Sequence, residues 1–292
     1  MKAKVWVLTL LVSPLPDVAW QQLQGGEDNH YVLLVVKLAL LGLVTLYERL
    51  ITKHATLSRY LLILFVSLGL SAGVQLVTKS ADTTAWLSFL PDAVSRELAL
   101  FQAVRLLSVL ILILVLRAGF GFSRSYLFLQ KGQPKSLSHA LPHLGWTKTE
   151  SWATLGRNLA MIITGITGVV LSWGADLADL HVAWQPLIVS LSIAAILAVA
   201  NSFSEEVSYR NALLNPLADI VGKDHAMLIT AVLFGSAHYQ GVPAGLLGVA
   251  LAFILGFLLA KSMFDTQGMF WAWLIHFLQD VLIFAYLMLV VG

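Results

Sequence analysis

Long apolar runs recur along this chain, and most approach the length that a helix needs to cross a bilayer. A membrane-spanning helix requires about 20 mostly apolar residues. Eight runs predict spans near residues 31–48, 60–78, 98–117, 155–173, 185–203, 225–240, 242–260 and 268–291. We therefore predict an all-α fold, built as a polytopic bundle of transmembrane helices.

The N-terminal stretch KVWVLTLLVSPLPDVAW is a weaker ninth candidate. It is short before Pro14, and Pro16 interrupts it again. Such a stretch is either a kinked span or the apolar region of a signal peptide. Because no small-residue cleavage site follows, we favour a retained span over residues 1–20, which raises the expected count to eight or nine.

Charged residues are few and unevenly placed. They make up 12% of the chain, and 58% of the residues are hydrophobic, whereas soluble domains carry about 25% charged residues. Lys and Arg concentrate in two loops, near 49–59 and 117–148, which we place in the cytoplasm. We expect an integral, multi-pass membrane protein, in the cytoplasmic membrane for a bacterial source. The absence of cysteine excludes disulfides, thiolate catalysis and cysteine-bound zinc.

A first cluster of ionisable residues, EEVSYR, stands at the end of the span near 185–203. On a helix Glu206 and Arg210 are four residues apart and share a face, so we expect them to pair. Glu205 lies about 100° around the helix from Glu206. We therefore expect two of the three charges to cancel, which leaves Glu205 without a cationic neighbour and available for chemistry. Taken alone, the cluster is more typical of a solvated helix end.

Two further clusters follow. His238, in LFGSAH, is expected well inside the span 225–240, beside small residues that permit close helix packing. His276 and Asp280 are four residues apart on one face of the last span. Each cluster also has a structural interpretation, as an interhelical hydrogen bond or as a His–Asp pair. Taken together, the three clusters weaken the structural interpretation, because ionisable groups inside membranes normally face a shared interior and mark function.

The order Glu-Glu-x-x-x-Arg, Phe-x-x-x-His and His-x-x-x-Asp resembles the CPBP intramembrane proteases, also known as type II CAAX prenyl endopeptidases or the abortive-infection family. Here the three motifs read EEVSYR, FGSAH and HFLQD. The resemblance covers residues 185–292, which would form the catalytic transmembrane core. Residues 1–184 carry no matching motif, and their role is unassigned.

The resemblance implies an endopeptidase that acts on a membrane protein or peptide substrate within the lipid bilayer, with no nucleic-acid partner. By position, Glu205 and His238 resemble the pair that activates water. His276 and Asp280 match the positions that stabilise the tetrahedral intermediate or, in an older view, bind a metal.

By the same resemblance, Glu206 and Arg210 are supporting residues. Glu205 and His238 can meet only if the first motif helix extends deeper, over about 190–214, since a helix rises 1.5 Å per residue.

Asp280 departs from the asparagine that the prenyl-protease branch has at this position. An ionised carboxylate only accepts hydrogen bonds, so it cannot stabilise an oxyanion directly. Three arrangements stay open: a protonated Asp280, an Asp280 that holds His276 as an imidazolium, or a zinc site formed by His238, His276 and Asp280. We favour catalysis by Glu205 without a cofactor, with zinc as the alternative.

Two other functions remain open from the sequence. A proton-coupled transporter or channel would use the same buried groups as a relay. A non-catalytic membrane scaffold would retain the fold, although the intact set of motifs argues against it. The substrate, its cleavage site and the oligomeric state do not follow from the sequence.

Overall fold

A computed structural model describes residues 1–23, 30–80, 87–90, 92–173 and 184–291, and this part of the chain is helical without a β-strand. Its α-helices are α1 Lys2–Val12, α2 Leu15–Leu23, α3 His30–Leu50, α4 Ala55–Ser80, α5 Ala93–Leu114, α6 Trp152–Trp173, α7 Trp184–Glu206, α8 Leu214–Val221, α9 Lys223–Ala237, α10 Gly245–Thr266 and α11 Phe270–Tyr286. Short π-helical turns cover Val115–Gly119, Val207–Asn211 and Leu287–Val291. The predicted all-α fold is confirmed.

Seven helical segments of the described residues are long and apolar enough to cross a membrane: Tyr31–Leu50, Ala55–Ser80, Ala93–Gly119, Trp152–Trp173, Leu187–Val221, Gly245–Thr266 and Phe270–Leu289. The pair α1 and α2, bent by 51°, gives an eighth if it counts as one span. These numbers agree roughly with the predicted eight or nine spans, and they make the protein an integral, multi-pass membrane protein.

One predicted span is wrong. Helix α9 has only 15 residues, which is fewer than the about 20 residues that a crossing helix needs. The first motif helix behaves as expected in length, because its segment continues to Val221.

The chain divides into two compact units. Unit 1 comprises Met1–Gly73, Ile111–Leu127 and Val207–Ala260, and unit 2 comprises Val74–Leu110, Phe128–Glu206 and Lys261–Gly292. The motif residues are divided between the two units. Glu205, Glu206, His276 and Asp280 lie in unit 2. Arg210 and His238 lie in unit 1.

In unit 1 the bent N-terminal pair is fixed by a buried lysine. Lys37 lies in the span formed by α3 and is only 6% exposed. Its ammonium group donates to the backbone oxygen of Ser13 at 2.7 Å and contacts the Asp17 carboxylate. A buried charge is costly unless it is paired and hydrogen-bonded. These contacts therefore fix the break between α1 and α2 against α3.

In unit 2 helix α11 packs against α6 and α7. The core on the α7 side is built from small and apolar residues, including Ala194, Ala198 and Phe284. On the α6 side Gly156 provides the close approach, because a Cβ atom there would lie 2.4 Å from the ring of Trp271. Helix α11, which carries His276, is thus held between two helices.

The loop before α6 is tied to the end of α10. Asp265 accepts hydrogen bonds from the indole of Trp152 at 3.0 Å, from Lys261 at 2.7 Å and from the backbone of His139 at 3.2 Å. The loop backbone also approaches closely, since a Cβ on Gly132, at φ 72°, would lie 2.4 Å from a carbonyl oxygen of Thr266. This anchoring fixes the turn that leads into α11.

We expect Gly156→Ala to lower the thermal stability of the detergent-purified protein. The new methyl group would collide with the Trp271 ring, and such overpacking typically costs about 1–3 kcal/mol. Gly165→Ala is the matched control on the same helix, because nothing lies within 4 Å of its Cβ position. Equal melting temperatures for the two variants would contradict the proposed packing of α6 on α11.

Candidate active site

Two adjacent carboxylates end helix α7 and reach one imidazole. The Nδ1 atom of His276 lies 2.7 Å from Oε1 of Glu206. The Nε2 atom lies 3.3 Å from Oε2 of Glu205. Glu206 is fully buried, and Glu205 and His276 are nearly so. The two motifs in unit 2 therefore meet at His276, although the sequence did not predict that Glu206 contacts it.

The hydrogen bonding around His276 favours an imidazolium. A neutral imidazole donates from one nitrogen and accepts at the other, whereas the charged form donates from both. Here each ring nitrogen faces a carboxylate. Only the doubly protonated ring can donate to both carboxylates. His276 is therefore arranged as a donor rather than as a base.

Arg105 of α5 was missed by the sequence analysis. Its Nη1 atom lies 2.9 Å from Oε1 of Glu205. The expectation that Glu205 has no cationic neighbour is therefore wrong, because that reasoning considered only charges close to Glu205 in sequence. The contact fixes one carboxylate oxygen of Glu205, while the other faces His276.

An amide links this ion pair to Asp280. Asn201 stands one helical turn before Glu205, and its Oδ1 atom accepts from Arg105 at 2.7 Å and from Gln102 at 2.9 Å. Its Nδ2 atom donates to Oδ2 of Asp280 at 2.9 Å. The other oxygen of Asp280 is 3.6 Å from Nε2 of His276. Asn201 is thus a closer partner of Asp280 than the predicted His276.

A signal for Arg105 was present in the sequence. It interrupts the apolar run FQAVRLLSVLILILVLR in the middle of a predicted span. An ionisable residue at that depth is by default a functional candidate. Gln102 and Asn201 gave a weaker signal, because neutral amides are less costly in a span than charges.

In unit 1, His238 stands at the end of a helix rather than inside a span. It follows the last residue of α9, where the chain leaves the helix. Its Nδ1 atom is 2.7 Å from the backbone oxygen of Phe234. A carbonyl only accepts, so Nδ1 carries a proton. The predicted close packing is present, since a Cβ on Gly235 would lie 2.8 Å from a carbonyl oxygen of Val249.

The phenylalanine of the second motif has a role of its own in unit 1. The ring of Phe234 is fully buried, and it lies 4.3 Å from the His238 ring between centroids. The guanidinium carbon of Arg210 stands 3.9 Å over the same ring. Phe234 therefore supports both the motif histidine and the motif arginine.

The predicted pairs that join the two units stay predictions. Glu206 ends α7 in unit 2, whereas Arg210 lies in the π-helical turn that begins the third segment of unit 1. The same division applies to Glu205 and His238. It applies as well to the zinc set of His238, His276 and Asp280.

The zinc alternative requires side chains that converge on one point. Across the residues that the structure describes, no group of three or more His, Asp or Glu side chains is arranged to hold a metal ion. Zinc ligands lie about 2.0–2.2 Å from the metal and require converging donors. Zinc therefore remains an alternative from the sequence alone.

Residues 186–282 match the family model described as Type II CAAX prenyl endopeptidase Rce1-like. The matched segment includes Asn201, Glu205, His238, His276 and Asp280. This segment belongs to the CPBP family. Membership implies a CAAX-type intramembrane protease that acts on membrane-associated proteins. No curated protein and no solved structure matches the chain. Gln102 and Arg105 lie outside the CPBP segment.

We expect Arg210→Met to lower the yield and the melting temperature of the detergent-purified protein. Arg210 is fully buried, and a desolvated cation over an aromatic ring contributes about 2 kcal/mol or more. Arg117→Met is the control, because Arg117 is exposed in the same unit. Wild-type yield and melting temperature for Arg210→Met would contradict a structural role.

Proposed function

We propose that the protein is an intramembrane endopeptidase that hydrolyses a peptide bond in a membrane-associated protein or peptide. One observation carries the proposal: Glu205, His276 and Asp280, from two motifs of the family segment, meet in one nearly buried cluster. Buried clusters of ionisable groups are typical of functional sites in membranes. A structural role alone would not require the three carboxylates of Glu205, Glu206 and Asp280 around the one imidazole of His276.

Glu205 acts as the general base in this proposal. Arg105 holds its Oε1 atom, so that Oε2 is presented in a fixed orientation. Water passes a proton to the Glu205 carboxylate while its oxygen attacks the carbonyl carbon of the substrate. A fixed base within hydrogen-bond reach of its water typically contributes about 10²- to 10⁴-fold to the rate.

His238 assists in placing that water. Its Nδ1 proton is directed at the carbonyl of Phe234, so Nε2 is the nitrogen that exchanges protons or accepts a hydrogen bond. The stack of Arg210, Phe234 and His238 holds the ring in place. We assign Glu205 and His238 jointly to water activation.

His276 acts on the oxyanion that the attack creates. As an imidazolium held by Glu206 through Nδ1, it turns its Nε2 hydrogen bond from Glu205 to the oxyanion once Glu205 has taken the proton from water, and preorganised donors are often the largest contribution to catalysis of acyl transfer. When the intermediate collapses, the carbon–nitrogen bond breaks and the amine leaves with the proton that Glu205 took from water. Asp280 acts through His276 rather than as a donor itself.

We expect Glu205→Gln and His238→Ala each to abolish cleavage while the protein still folds. Comparison of the membrane proteome by terminal-peptide mass spectrometry, between cells with wild type and with Glu205→Gln, reveals substrates as new termini. Glu150→Gln is the control, because Glu150 is an exposed carboxylate of unit 2. Wild-type termini that persist in Glu205→Gln and in His238→Ala would contradict the assignment of these two residues to water activation. Proton flux in reconstituted vesicles, without any cleavage, would favour a transporter instead.

We expect Asp280→Asn to retain substantial activity, because an amide oxygen still accepts a hydrogen bond and its nitrogen can donate. The same change should cost both metal and activity if Asp280 ligates zinc, since a neutral amide is a poorer ligand. Elemental analysis of active wild type, together with the activity of Asp280→Asn, distinguishes the two. Stoichiometric zinc that is lost in an inactive variant would make the enzyme a metalloprotease.

A further inference from the structure

The site holds an amide that the motifs do not include. Asn201 lies in the family segment but in none of the three motifs, and it is 9% exposed. It stands on the face of α7 that carries Glu205, because residues four apart share a helix face. A side-chain amide beside a base and an imidazole is a candidate oxyanion donor.

The orientation of this amide is determined by its neighbours. A guanidinium group only donates, so the atom of Asn201 that Arg105 contacts must be the oxygen. The amide nitrogen then faces Asp280, whose oxygen Oδ2 is 2.9 Å away. Gln102 adds a second donor to the same oxygen. The O and N positions of Asn201 thus follow from the chemistry of the contacts.

Asp280 makes this orientation significant. An ionised aspartate cannot donate to an oxyanion, but the Asn201 nitrogen carries two hydrogens and Asp280 accepts one of them. We infer that Asn201 is a further catalytic residue, whose second N–H donates a hydrogen bond to the oxyanion of the tetrahedral intermediate beside His276. The inference rests on the proposed protease function.

The inference also gives residues of α5 a role in the reaction. Arg105 and Gln102 hold the groups that act on water and substrate and are not placed against water or substrate themselves, so they are positioning residues. Arg105 contacts both the base Glu205 and the donor Asn201 through a single nitrogen. It therefore fixes the distance between the group that activates water and the group that receives the oxyanion.

The test exchanges the amide of Asn201 and the carboxylate of Asp280, which share one hydrogen bond. The single change Asn201→Asp keeps the acceptor for Arg105 but removes the donor, and we expect kcat to fall about 10²- to 10³-fold, as for loss of one oxyanion donor. The double change Asn201→Asp with Asp280→Asn returns one amide and one carboxylate to the same contact. We expect it to recover at least tenfold over Asn201→Asp, with KM within a few-fold of wild type.

The assay uses wild-type and variant membranes, with the cleaved protein revealed by terminal-peptide mass spectrometry as the probe. Asn158→Asp on α6 is the control for the same chemical change at a residue outside the contacts that form the cluster. If Asn201→Asp does not accumulate, Asn201→Ser, which keeps a shorter donor, should retain more activity than Asn201→Ala.

The outcomes separate the two hypotheses. Absence of cleavage by the wild type would contradict the proposed function itself. Cleavage by the wild type with an equally active Asn201→Asp would overturn only the role of Asn201. A folded double variant no more active than Asn201→Asp, or Asn201→Ser no more active than Asn201→Ala, would overturn it as well.

Discussion

The contact of Arg105 with Glu205 and Asn201 is the interaction on which the site of unit 2 depends. Three carboxylates surround His276 in a nearly buried region, and buried charges are costly unless they are paired. Arg105 and His276 supply the compensating cations. Without Arg105, Glu205 would lose its fixed orientation and Asn201 could turn its amide, so both the base and the proposed donor would be displaced.

The arrangement answers the difficulty that Asp280 raises. A carboxylate at this position cannot stabilise an oxyanion, yet the contacts around it provide two donors, His276 and Asn201. Asp280 accepts a hydrogen bond from Asn201, and its other oxygen places negative charge 3.6 Å from Nε2 of His276. Catalysis in this account depends on preorganised donors in a buried site that excludes water, where such groups are worth more than in water.

Sequence reasoning predicted the helical spans and proposed one cluster of Glu205, His238, His276 and Asp280, because apolar length and intramembrane charge are strong physical signals. The place of His238 in that cluster stays a prediction. It missed Arg105, although the same rule applied to it, because the search followed the motifs. It misplaced His238 because apolar periodicity does not reveal where a helix ends. Gly241 and Pro243, which follow His238 closely, were the available signals of a turn. Hydrogen-bond partners such as Asn201 require three-dimensional structure.

The coupling between Arg105 and Glu205 tests the central claim most directly and needs no substrate. The measurement is the free energy of unfolding in detergent for Arg105→Met, Glu205→Gln and the double variant. The account predicts that the double variant loses clearly less stability than the sum of the single losses, by about 1–3 kcal/mol, as for groups in contact. Losses that add to within about 0.5 kcal/mol, as for independent sites, would contradict it.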